Sequence, residues 1–265
     1  MKTKYMLSEG VKFNAPTFTF DFNNNGEEDI ISLSGSLKSS EVYGNTYFFQ
    51  YEFNDNVPSS TRSAFIHALK FDQSQLGAGN VDNFIETAIS NLSRAINLAD
   101  VDIFLYPQSS SPLTKDLVDR LDSFTDSDAY VKIEVMKKAV NEIDFNWSKF
   151  EKYCENHNVP KNAQIVMKSK MDKMLDDIHS LDYFSIAKNI KDQKYKRFLS
   201  TVYKFYDAKT IELVKSIKGK KILIVDDIYT SGVTIEQILK AYRALDPDDS
   251  NVVAVFTLIG KSKAK

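Results

Sequence analysis

The sequence predicts an α/β fold: a parallel sheet core flanked by helices, with a β-rich N-terminal appendage and a helical insertion. Three observations lead there. Residues 100–135 and 220–260 each run strand, polar loop, amphipathic helix, strand. The strands in both, such as "DIFLYP" and "KKILIV", are nearly continuous apolar runs, as in sheets covered on both faces. The first third instead carries aromatic-rich and alternating runs separated by Asn, Gly and Ser.

Composition sets the class. With 43% hydrophobic, 12% aromatic and 26% charged residues in 265, the chain can bury a sizeable core and is not of disordered type. No apolar run reaches the ~18 residues that span a bilayer. "MKTKYMLSEGVKF" lacks the apolar centre of a signal peptide. One cysteine, Cys154, cannot form an internal disulfide, and three histidines make a dedicated zinc site improbable. A cytoplasmic protein without membrane association is expected. The net charge of −2 hides an asymmetry: residues 131–221 hold 20 Lys/Arg against 12 Asp/Glu. That basic segment could touch nucleic acid, but solvated lysine-rich helix faces are the favoured reading.

In chain order, "TFTFDF" (17–22), "DIISLSGSL" (29–37) and "NTYFFQYEF" (45–53) read as strands of a small antiparallel sheet or meander, with turns at "NNNGEED" and "SSEVYGN". "TRSAFIHALKF" reads as a short helix. "NVDNFIETAISNLSRAINLA" reads as a longer one, with Phe84, Ala88, Leu92, Ala95 and Ile96 on one face. "DIFLYP" then ends in the loop "QSSSP", a helix carries Leu113, Leu117 and Leu121, and "AYVKIEV" is the next strand. Residues 136–220 read as helical and are too long for a simple crossover. They form either an inserted subdomain or a lid. The expected division is residues 1–80, a β-rich hood or docking appendage, and 81–265, the α/β core with its insertion at about 136–220.

The chemistry concentrates in "KKILIVDDIYTSGVTIEQIL" (220–239). A buried strand over 222–225 would place Asp226 and Asp227 at its carboxyl end, where ligands of open α/β sheets bind. The turn leads into a helix with Ile235, Ile238, Leu239 and Tyr242 on one face and Thr234 as a candidate N-cap. Backbone N–H groups, hydroxyls and a helix N-terminus make a phosphate cradle. Gly232 would allow close approach or positive φ. The two acids suit vicinal sugar hydroxyls or Mg²⁺, held directly or through water. Together they describe a ribose 5-phosphate site.

"ILIVDDIYTSGVT" resembles the PRPP-binding motif of type I phosphoribosyltransferases, and its Tyr-Thr form looks most like the ComF-like subgroup. "DIFLYPQSSSPLTKDLVDRL" is similar to the strand, pyrophosphate loop and helix that come earlier in such proteins. The resemblance covers roughly 95–135 and 215–260. It implies a type I phosphoribosyltransferase-like sheet and a glycosyltransferase of nucleotide metabolism. Such an enzyme moves ribose 5-phosphate between PRPP, or a nucleoside monophosphate, and a nitrogenous base with pyrophosphate exchange. Asp226 and Asp227 would be the catalytic and Mg²⁺-organising acids on the ribose hydroxyls. Thr230, Ser231, Gly232, Val233 and Thr234 would hold the 5-phosphate. Pro107, Gln108, Ser109, Ser110 and Ser111 would form the pyrophosphate loop. Lys115 either adds charge there or is a surface residue. In purine-salvage members an aspartate stands where this chain has Thr230, which leaves the base unnamed; many ComF-type proteins carry an N-terminal zinc ribbon, which the one cysteine of this sequence cannot build. A homodimer is left open.

The competing class is a non-catalytic protein that senses PRPP or a nucleotide and engages a protein or nucleic acid. A basic residue poised over the pyrophosphate would separate the two, and the sequence does not place one. Lys188, Lys191, Lys194, Lys196 and Arg197 in the insertion are candidates, although an exposed basic helix face is the plainer reading. His67, His157, His179 and Cys154 read as packing or surface residues. Trp147, Phe150 and Tyr153 read as core, and the sequon-like Asn91 and Asn146 as chance matches.

Overall fold

The computed structural model describes residues 10–14, 19–24, 30–33, 36–124, 131–205, 208–216, 220–245 and 252–262. The first residues of "TFTFDF", most of the "NNNGEED" turn, and Ser34 and Gly35 of "DIISLSGSL" lie outside them. The chain forms two compact units, one of residues 1–135 with 207–265 and one of residues 136–206.

The first unit holds a small antiparallel sheet and a larger, mostly parallel one. The small sheet comprises β1 (Gly10–Asn14), β2 (Thr19–Asn24) and β3 (Ile31–Ser32), in the order β2-β1-β3. The large sheet begins with β4 (Lys38–Val42) and β5 (Asn45–Glu52), an antiparallel hairpin. Its two-residue loop has Tyr43 and Gly44 at positive φ, 50° and 81°, as a tight turn matched to strand twist requires. Three helices follow or interleave: α1 (Ser59–Phe71), α2 (Ala78–Ala95) and α3 (Leu113–Asp122). Strand β6 (Ile103–Pro107) precedes α3, and β7 (Val131–Lys137) follows it. After the second unit come α8 (Ala208–Lys215), β9 (Ile222–Ile228), α9 (Val233–Arg243) and β10 (Val252–Gly260). Within this unit the sheet order is β4-β5-β10-β9-β6-β7, and its neighbours after the first hairpin are parallel.

The α/β reading therefore holds, with one difference. The stretch 45–52 does pair antiparallel with β4, but its other edge pairs parallel with β10: Phe48 faces Phe256 and Tyr51 faces Ile259. The meander expected from local alternation is thus shared between two sheets. Alternation reports one buried face; it does not report which strand borders the edge.

Helices α1, α2 and α3 contribute Phe65, Leu69, Phe84, Ile89, Leu113 and Leu117 to one core cluster. That cluster includes Leu223, Val225, Ala254, Phe256 and Leu258 from β9 and β10. The alternate residues Ile222, Ile224 and Val255 are also buried, so both faces of the central strands are covered. This is why β9 is apolar at consecutive positions. The small sheet joins the same cluster through Phe20, Phe22 and Ile31.

The C-terminal end of β10 is tied by Glu52. Its carboxylate accepts from the Ser262 N–H at 2.7 Å and from the Ser262 hydroxyl, and pairs with Lys38 at 3.2 Å. Partial burial would raise this carboxyl, but the Ser262 hydrogen bonds and the Lys38 charge outweigh it and hold the group below its ordinary range. Such a depressed carboxylate adds stability above the unfolded range, about 4.3. That stability is lost as pH falls through the lower folded value. The stability gap between the protein and Glu52→Gln should therefore narrow on acidification from about pH 5 towards pH 3. Urea titrations at stepped pH check this; a gap constant with pH refutes it.

The second unit is largely helical. It holds α4 (Trp147–Asn156), α5 (Lys161–His179), the single turns α6 (Ile186–Asn189) and α7 (Gln193–Lys196), and the short β8 (Tyr203–Lys204). Met136 and Lys137, at the end of β7, pair antiparallel with β8. Its core gathers Ile143, Phe145, Phe150, Cys154, Met171, Ile178 and Phe198, with Phe150 and Phe198 edge to face at 5.4 Å. Asn146 caps α4 by accepting from Lys149 N–H at 2.8 Å, which gives this sequon-like asparagine a structural role.

Candidate active site

The parallel strands place two loops side by side. From β6 the chain crosses through α3 to β7 on one side; from β9 it crosses through α9 to β10 on the other. The connections diverge between β6 and β9, which is a topological switch point, where the carboxyl ends of neighbouring strands leave a crevice. The ladder between these strands spans Ile103–Ile222, Phe104–Leu223 and Leu105–Ile224, while β6 runs on to Pro107 and β9 to Ile228. The loop after β6 and the turn after β9 flank that opening.

Strand β9 is longer than the sequence suggested. It includes both acids, with Asp226 opposite Thr257 of β10. Side chains alternate along a strand, so the two carboxylates leave on opposite faces. Asp226 sits on the side of Tyr47 and Tyr229, whose rings lie 4.9 Å apart. Tyr47 is held strongly neutral by burial, with the nearby Tyr229 and Asp226 adding to the shift and a hydrogen bond to Thr257 at 2.8 Å opposing it. Asp226 Oδ1 also accepts from the Asp227 N–H at 3.0 Å.

Asp227 faces α1, where it meets Lys70. The ammonium straddles the carboxylate: it donates to Oδ1 at 2.8 Å and lies 2.7 Å from Oδ2, off that oxygen's hydrogen-bonding direction. The Asp227 side chain is 3% exposed and that of Lys70 22%, so this is a shielded pair. Sequence reasoning did not find Lys70. Nothing in "HALKFD" marks it, because its partner is 157 residues away.

The turn after β9 leads through exposed Thr230 and Ser231 to Gly232, at φ 72° and ψ 0°. Gly232, not Thr234, is the N-cap of α9. A left-handed residue redirects the chain here, so the helix begins one residue later, at Val233, and Thr234 lies inside its first turn. Glu236 N–H makes the bond back to Gly232 O at 2.9 Å. The N–H groups of Val233, Thr234 and Ile235 precede that bond and so have no intrahelical acceptor. Val233 and Thr234 are half-buried.

In the β6 loop, Gln108 N–H extends the ladder to Val135 O at 2.8 Å. Pro107 and Ser111 are buried, Gln108 and Ser109 half-buried, Ser110 exposed. The Ser111 hydroxyl donates to the Lys70 carbonyl at 3.1 Å and accepts from Leu113 N–H at 3.2 Å, so it braces the entry to α3. Lys115 is exposed on α3. In the second unit, Lys194 pairs with Asp192 at 3.3 Å and Arg197 lies over the Tyr153 ring at 5.2 Å. Lys191 is exposed and Lys196 half-buried; the Lys188 side chain lies outside the described residues. His157 and His179 each bond a backbone carbonyl, of Tyr153 and Ile143, and His67 lies 5.3 Å from the Phe71 ring.

Among the described residues no group of three or more His, Cys, Asp or Glu could hold a resident metal ion. The donors fit an ion that arrives with a phosphorylated ligand. Mg²⁺ typically takes one or two protein carboxylates plus substrate phosphates. Asp226 and Asp227 are the carboxylates that would serve such an ion; buried Asp227 Oδ2 accepts no hydrogen bond, although the Lys70 ammonium lies 2.7 Å from it.

Residues 161–265 match the family model described as phosphoribosyl transferase domain. The match covers β9, both acids, the turn, α9 and β10, and under half of the chain. No curated protein matches the chain. No helix among the described residues is long and apolar enough to cross a membrane.

Proposed function

We propose that this chain, similar over residues 161–265 to a phosphoribosyl transferase domain, is a Mg²⁺-dependent phosphoribosyltransferase. It would move ribose 5-phosphate between PRPP and a nitrogenous base with exchange of pyrophosphate. The observation that carries the reading is the path of β9 into α9: two buried acids, then a left-handed glycine, then the open start of a helix, all beside the switch-point crevice. The Tyr-Thr form of the turn supports the ComF-like subgroup within that reading.

In this reading Thr230, Ser231 and Thr234, with the N–H groups of Gly232 and Val233, bind the 5-phosphate. The positive end of α9 favours its charge. Asp226 and Asp227 accept from the ribose hydroxyls and hold Mg²⁺. When bound, the ion neutralises charge on the leaving pyrophosphate. The β6 loop, Pro107 to Ser111, borders the pyrophosphate. The protein's contribution is orientation, since transfer at the anomeric carbon needs the base and leaving group in line.

The test is thermal shift with PRPP and Mg²⁺, followed by pyrophosphate release over a panel of bases. Saturation at 100 times Kd would stabilise the protein by about 2.7 kcal/mol. Asp226→Asn and Asp227→Asn should each abolish that shift while leaving the far-ultraviolet dichroism unchanged. No shift in the unmutated protein sinks the proposal. A shift without turnover on any base points to a PRPP or nucleotide sensor instead.

A further inference from the structure

Lys70 comes from α1, outside the region that matches the family model, yet its ammonium lies on Asp227. It is held from two directions. Its side chain pairs with β9, and its carbonyl accepts from Ser111 in the loop after β6. Lys70 therefore links both sides of the crevice, and its backbone cannot follow a departing side chain.

A cation and a sugar diol both need Asp227, and both must first deal with the ammonium. Removing one member of a buried ion pair leaves an uncompensated charge, which is strongly unfavourable. A bare divalent cation offers Lys70 no new partner and repels it at close range in a medium of low dielectric. An uncharged sugar leaves it equally stranded. A ligand that brings its own cation together with phosphate oxygens lets both charges exchange partners: the carboxylate takes the cation or diol, and the ammonium takes the phosphate.

We infer that Lys70 is a specificity-determining residue, an exchangeable counter-ion that makes the acid pair refuse bare divalent cations and uncharged diols and accept phosphorylated ligands that carry a cation. This rests on the proposed reading of the site for its ligand class, though its central test does not need PRPP.

The test titrates Mn²⁺ alone, by electron paramagnetic resonance, into the full-length protein, Lys70→Met and Lys70→Met/Asp227→Asn. Lys70→Met should bind Mn²⁺ at least about tenfold more tightly than the unmutated protein, and the double variant should lose that gain. A second arm keeps the inference falsifiable if Lys70→Met does not fold. In Asp227→Asn the ammonium is already free of its carboxylate. This variant should bind metal-free inorganic pyrophosphate at least about tenfold more tightly than the unmutated protein in calorimetry. Unchanged Mn²⁺ affinity in folded Lys70→Met, or unchanged pyrophosphate affinity in Asp227→Asn, overturns the inference. Failure of the phosphoribosyltransferase reading shows elsewhere, as absence of a PRPP and Mg²⁺ shift in the unmutated protein.

Discussion

Gly232→Ala should destabilise the first unit by about 3 kcal/mol or more and abolish any stabilisation by PRPP with Mg²⁺. Two effects add. At φ 72° a residue with a Cβ is strained, at about 1–3 kcal/mol. The added methyl would also lie 2.4 Å from Tyr229 Oη and 2.7 Å from Cζ, inside van der Waals contact. The ring cannot simply retreat, because Tyr229 is buried and packs on Tyr47, whose hydroxyl is bonded to Thr257. Either the ring or the turn must move, and the turn carries the first N–H groups of α9. Urea denaturation followed by circular dichroism measures the first effect and thermal shift the second. Gly232→Ala/Tyr229→Ala should recover the steric share but not the backbone strain, so the two substitutions will be non-additive. A folded Gly232→Ala protein of near-normal stability would contradict this account of the turn.

Phe84→Ala should cost about 3–5 kcal/mol, the range for emptying a buried aromatic site. Phe84 is fully buried on α2 and stacks on Tyr51 of β5 at 3.7 Å. It also meets Phe22 of β2 at 6.3 Å and Phe65 of α1 at 6.2 Å, both edge to face. Its carbonyl accepts the Tyr51 hydroxyl at 2.8 Å. One side chain thus joins the small sheet, the large sheet and two helices, and little around it can collapse into the space. Exposed Phe71→Ala is the control, expected within about 0.5 kcal/mol of the unmutated protein. The only tryptophan, Trp147, lies in the second unit, so circular dichroism or tyrosine absorbance is the appropriate probe. A loss below about 1 kcal/mol for Phe84→Ala would mean the cluster is not the centre of the core.

Much of the fold was legible because its signals are local. The helices at 59–71, 78–95, 113–122, 147–156 and 161–179 follow apolar spacing that one turn of backbone can display. The same holds for the strand-turn-helix around Gly232, whose positive φ is written in the residue itself. Smaller errors arose where a local rule had two solutions. Thr234 is a good capping residue, but the left-handed glycine two positions earlier starts the helix first. The strand expected over 222–225 also runs further, through both acids to Ile228, so alternation gives each acid its own face and its own neighbour.

By itself, the sequence determined the α/β class, the strand that carries two acids near its carboxyl end, the hydroxyl-rich turn and the helix that follows. Each depends on residues within a few positions of one another. Only the tertiary structure decided that β5 borders β10, that the loop after β6 faces the turn after β9, and that Lys70 closes on Asp227. These partners are separated by more than a hundred residues, and their meeting follows from strand order and helix docking. No short stretch of chain carries that information: the acids are written at 226 and 227, but their counter-charge is supplied by the fold.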